Sequence, residues 1–82
     1  MRFIKEIENQ FCKAQLYSFN NKFVLKFEID ALEQIYKFSE QEVMTHEEIE
    51  ENLDEAFYHK IMKRFEAMSQ DYGDLLESID GL

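Results

Sequence analysis

Two adjacent asparagines, Asn20-Asn21, sit at the centre of an alternating run that extends from Phe11 to Ile29. Asparagine tolerates the left-handed backbone that a two-residue type I′ turn demands at both central positions, so the run reads as a β-hairpin. With the turn placed there, Cys12 pairs with Ile29, Ala14 with Phe27, Leu16 with Leu25 and Ser18 with Phe23, which gathers small and large apolar groups on one face. The same register sets Lys13 opposite Glu28 and Tyr17 opposite Val24 on the other face. Because side chains alternate with a period of two, a slip by one residue would break both faces together. Nothing else in the chain constrains the fold as tightly. Phe11, Tyr17, Phe19 and Val24 fall on the outer face, which is therefore either a second packing surface or one covered by residues 2–7.

Past Ile29 the pattern admits two readings. Asp30-Ala31-Leu32-Glu33 has the form of a helix capping box, with Leu32, Ile35 and Tyr36 on one helical face. A two-residue turn at Asp30-Ala31 instead starts a third strand, which sets Tyr36 opposite Leu25 and Phe38 opposite Phe23. The aromatic pairing favours the strand, although it brings Glu28 against Glu33, a like-charge contact. Residues 2–7 (RFIKEI) fit either a further strand or a short helical turn.

The second half has a helical period. Thr45-His46-Glu47-Glu48 forms a capping box, and its acids suit the positive end of a helix that begins at His46. Apolar residues then recur at Ile49, Leu53, Phe57, Ile61, Phe65, Met68, Tyr72, Leu75, Leu76 and Ile79, with no break before Gly73. Residues 46–72 would span about 40 Å as a helix, against about 25 Å for strands of seven or eight residues. Such a helix outruns its sheet, and the surplus stripe must pack on a second copy, on another protein, or on a folded-back segment. From Ile61 the steps alternate between four and three through Phe65, Met68, Tyr72, Leu75 and Ile79, the spacing of a seam between paired helices. Gly73 supplies the competing reading, in which the helix stops at 72 and Asp74-Leu75-Leu76-Glu77 opens a short second one. The expected fold is α+β: an antiparallel meander of three or four strands, then one long C-terminal helix, continuous or broken near Gly73. At 82 residues the chain is expected to form a single domain, with its sheet part in about 1–39 and its helical part in about 46–80.

Charge divides the same way. The formal charge is −9: residues 1–39 hold six bases and five acids, whereas residues 40–82 hold three bases and thirteen acids. This surplus of acid argues against direct binding of nucleic acid or an anionic membrane, both of which require lysine and arginine to displace counterions. No apolar run approaches the roughly 18 residues of a membrane span. MRFIKEIENQ alternates where a secretory signal needs a continuous apolar core, so a cytoplasmic protein is expected.

The chemistry-bearing residues point away from catalysis. His46-Glu47-Glu48-Ile49-Glu50 departs from the zinc-protease pattern HExxH where Glu50 replaces the second histidine, and it reads as a solvated helix start. Glu55 and His59 stand four apart, not the three of carboxylate-bridged metal bundles, and suit an exposed ion pair. Asp71-Tyr72-Gly73-Asp74 lacks the alternate acids of a calcium loop. Cys12, the single cysteine, lies on the inner hairpin face as an inert thiol. Two glycines cannot build a phosphate-binding loop. Lys60, Lys63 and Arg64 read as a solvated flank. No catalytic residue, metal ligand, cofactor or small-molecule ligand is expected.

Two functional readings follow. In the first, the protein is an interaction module or complex subunit that dimerises through Ile61, Phe65, Met68, Tyr72, Leu75 and Ile79, and presents an acidic helix face made of Glu47, Glu48, Glu50, Glu51, Asp54 and Glu55 to a protein partner. In the second, the same carboxylates, joined by Glu40 and Glu42, imitate nucleic acid and inhibit a protein by filling its basic groove.

Overall fold

The structure, a computed structural model, describes residues 1–81. Four strands, β1 (Arg2–Ile7), β2 (Lys13–Phe19), β3 (Lys22–Ile29) and β4 (Leu32–Ser39), precede two helices, α1 (His46–Glu51) and α2 (Glu55–Ile79). The strands form one antiparallel sheet in chain order, an α+β arrangement with the helices on one sheet face.

The central hairpin has the expected register, with Ala14 opposite Phe27, Leu16 opposite Leu25, Ser18 opposite Phe23, Lys13 opposite Glu28 and Tyr17 opposite Val24. The ladder begins at Lys13–Glu28, one row inside the expected Cys12–Ile29 pair. Asn20 and Asn21 have φ of 49° and 60°, the left-handed pair that a type I′ turn requires. Residues 32–39 form a strand, not a helix: Tyr36 lies opposite Leu25 and Phe38 opposite Phe23, and the Glu28–Glu33 contact is tolerated. Asp30 takes a φ of 52° to make that turn.

Residues 2–7 add a fourth strand beside β2. Its register shifts between Phe3, opposite Tyr17, and Lys5, opposite Leu16, so Ile4 is a bulged residue. A bulge inserts one unpaired residue and re-aims those after it. Phe3 thus stays on Tyr17's face while Lys5 moves to Leu16's face, beside α1, and reaches Glu50 at 2.8 Å.

Phe11 does not join the outer face. Asn9 Oδ1 accepts from the backbone N–H groups of Phe11 (2.8 Å) and Cys12 (3.0 Å), while its amide donates to the carbonyls of Ile7 and Cys12. This side-chain-built turn ends the alternation before β2 and swings Phe11 to the helix side, where its ring stacks on Tyr58 at 5.4 Å.

The expected long C-terminal helix is present as α2, but it starts at Glu55 rather than His46, and His46–Glu51 form the separate α1. The break falls at residues 52–54, and α2 runs uninterrupted through Gly73. Asn52 closes α1, its amide donating to the Glu48 carbonyl at 2.7 Å, and Asp54 caps α2 by accepting from Phe57 N–H at 2.8 Å. Two cap-forming residues on either side of Leu53 outweigh an unbroken apolar stripe. Thr45 has the extended backbone of an N-cap, but its hydroxyl makes no capping bond. The two-helix layout turns Ile49 and Tyr58 into the same core as Ile61 and Phe65, where they meet Ala14, Leu16, Leu25 and Phe27. Phe27, fully buried, has the rings of Tyr36, Phe57 and Tyr58 within 6.3 Å. No helix among the described residues is long and apolar enough to cross a membrane.

Candidate functional site

The 25 residues of α2 extend about 37 Å, and the molecule measures 49 Å along its longest axis. Helix and sheet part company near Tyr72. There Ile29, Asp30, Ala31, Leu32, Phe65 and Tyr72 enclose a small cleft of 220 Å³ at the β3–β4 turn, and beyond it the helix has no sheet beneath it.

This layout divides the six residues of the expected seam. Ile61 (0% exposed) and Phe65 (3%) are spent on the protein's own core, and Met68 packs against its edge. Tyr72 (46%), Leu75 (61%) and Ile79 (69%) stand in solvent, joined by Leu76 (44%). At 100° per residue these four lie on the same side of α2 as Ile61 and Phe65, so the free stripe continues the core-facing one. Asp71 and Asp80 flank it, with Asp74 and Glu77 further round. No lysine or arginine follows Arg64. Acids at the negative end of a helix are unfavourably placed, so the free end offers apolar contacts inside a rim that lacks a cation.

The acidic face expected around α1 is dispersed by the helix break and partly engaged. Glu50 is held by Lys5 Nζ at 2.8 Å and by His46 Nδ1 at 2.8 Å. Hydrogen bonds from these two groups lower the Glu50 pKa, and the Glu50 carboxylate in turn raises that of Lys5. Asp54 serves as the α2 cap, and Glu42 accepts from the Ser39 N–H (3.1 Å) and hydroxyl (3.0 Å), which lowers its pKa. Glu40, Glu47, Glu48, Glu51 and Glu55 are exposed. Glu55 lies 3.6 Å from His59, the surface pair expected from their spacing.

The sheet's outer face, expected either as a second packing surface or as one covered by residues 2–7, has no further element laid over it among the described residues. Phe3 meets Tyr17 edge-on at 5.5 Å, Lys26 lies over the Tyr17 ring at 5.3 Å, and Val24 sits between Tyr17 and Lys37 in the ladder. Phe3 (52%), Phe19 (46%) and Ile35 (49%) remain exposed there. Residues 2–7 extend the sheet sideways rather than across this face, where Val24 at the centre is buried (2%). Two of its aromatics were visible in the hairpin pattern; Phe3 and Ile35 depended on a bulge and on a strand that sequence left open.

Two buried polar atoms, Gln34 Oε1 and Tyr58 Oη, have no hydrogen-bond partner among the described residues. Gln34 Nε2 donates to the Ile61 carbonyl at 3.0 Å, tying β4 to α2. Burial raises the pKa of both the Tyr58 hydroxyl and the Cys12 thiol. Among the described residues no three of His, Cys, Asp and Glu are grouped to hold a metal ion. Against family models, curated proteins and solved structures, the chain returns no match.

Proposed function

We propose that this protein is a non-enzymatic, cytoplasmic interaction module or complex subunit that docks through the free end of α2. The observation that carries this is the exposed row Tyr72, Leu75, Leu76 and Ile79, a direct continuation of the stripe that packs the core. Large apolar side chains aligned on one helix face beyond the sheet mark a contact surface rather than scattered exposure. The single unpaired Cys12 suits a reducing compartment.

The nucleic-acid-mimic reading draws less support from the arrangement of carboxylates. Glu42, Glu50 and Asp54 are occupied by partners within the chain, and the break between α1 and α2 interrupts their spacing.

Capture on the immobilised protein, wild type beside Leu75→Glu/Ile79→Glu, at low and high salt, tests the choice. An apolar docking surface predicts ligands, the chain itself included, that persist in high salt and are lost with the double variant. Ligands held equally by both proteins would overturn it. Basic proteins released by salt alone would instead favour the mimic.

A further inference from the structure

Building on that docking reading, we infer that the occupant of the free helix end is a second copy of this chain, and that the helix lies on the copy's outer sheet face. Each α2 covers the other's sheet about a two-fold axis.

Three observations lead there. Of the nine exposed large apolar residues among those described, seven lie on these two surfaces: Tyr72, Leu75, Leu76 and Ile79 on the helix, and Phe3, Phe19 and Ile35 on the sheet. One molecule therefore carries both halves of a helix-on-sheet contact, the kind that already forms its core.

The second observation is orientation. The free stripe faces the level of the sheet, just past its end. A copy placed end to end and turned over presents its outer face to that stripe. Its own helix, now on the opposite side, then passes over the first sheet's outer face, so the contact closes as a dimer rather than growing into a chain. Tyr72 to Ile79 advances about 10 Å, or about three strand residues, which reaches from the β3–β4 turn to the Lys26–Ile35 row. Tyr17 and Phe3 stand in the next row.

Charge and area discriminate against helix packed on helix. Two free ends side by side would gather Asp71, Asp74, Glu77 and Asp80 from each copy with no base among them. Within the rows that the helix reaches, the outer sheet face supplies Lys13 and Lys26 among Glu6, Glu28 and Glu33, and Lys26 stands where the helix tip brings Asp80. Four half-exposed side chains offer roughly 400 Å² per chain, about half of the ~800 Å² per partner of a stable interface. Adding the sheet face closes much of that gap.

The test uses the full chain with Cys12→Ala, carrying Ile35→Cys in one preparation and Ile79→Cys in another. Mixing and mild oxidation should give the 35–79′ disulfide in preference to 79–79′. In parallel, Ile35→Glu, which faces its own Lys26 across the ladder and so keeps the monomer folded, should raise the dimer dissociation constant roughly tenfold or more, as should Leu75→Glu. A dominant 79–79′ link, with self-association lost in Leu75→Glu but kept in Ile35→Glu, would overturn the sheet assignment while leaving the docking reading standing. A dimer unchanged by either substitution would sink both. A wild-type chain that stays monomeric overturns the second copy as occupant, and the capture comparison then decides the docking reading by itself.

Discussion

Single residues set the balance between packing and polarity in this core. Phe27 is fully buried among three aromatic rings, and Phe27→Ala is expected to cost about 3–5 kcal/mol in chemical denaturation. Tyr58 has the opposite character, since its hydroxyl is buried without a partner while its ring stacks on Phe11. An unsatisfied buried hydroxyl costs about 1–3 kcal/mol, so Tyr58→Phe should leave stability unchanged or raise it by about 1 kcal/mol. A clear loss of stability would show that the hydroxyl is satisfied in solution. Glu50 supplies the pH dependence. Its folded pKa is lowered, so its contribution is present above the unfolded carboxylate pKa and disappears as pH falls through the folded value. Melting curves of wild type and Glu50→Gln should therefore differ at neutral pH and converge in acid.

At the scale of elements, the contrast between the two helix starts is decisive. Asp54 accepts from Phe57 N–H, whereas the Thr45 hydroxyl makes no cap bond. Asp54→Ala should cost about 1 kcal/mol, and Thr45→Ala markedly less, by thermal denaturation. Gly73 lies inside α2, with open space where a Cβ would stand, so Gly73→Ala should stabilise by up to about 1 kcal/mol. These elements also show what could be read beforehand. The hairpin was legible because Ala14, Leu16, Leu25 and Phe27 on one face and the pairs Lys13–Glu28 and Tyr17–Val24 on the other agree with the same Asn-Asn turn. The helix break was not, because the apolar steps from Ile49 through Leu53 to Phe57 continue across it unchanged, and only the cap chemistry of Asn52 and Asp54 marks it. Phe11 was misplaced for a related reason: alternation ignores the Asn9 turn that reverses its direction. The division of the seam at Met68 required knowing where the sheet ends, a property of the pairing rather than of any local pattern.

The whole molecule combines a near-neutral sheet half with an acidic helical half that extends past it. Its helix carries one stripe in two environments: Ile61 and Phe65 complete the protein's own core, and Tyr72, Leu75, Leu76 and Ile79 are exposed beyond it. The same geometry explains why so short a chain leaves apolar surface in two places, one on each side of the layer boundary. The most direct measurement is the solution mass of the wild-type chain by light scattering from micromolar to hundreds of micromolar concentration. A dimer at twice the 9.9 kDa chain mass, dissociating on dilution, is the expected result; a mass of 9.9 kDa across the whole range would contradict it.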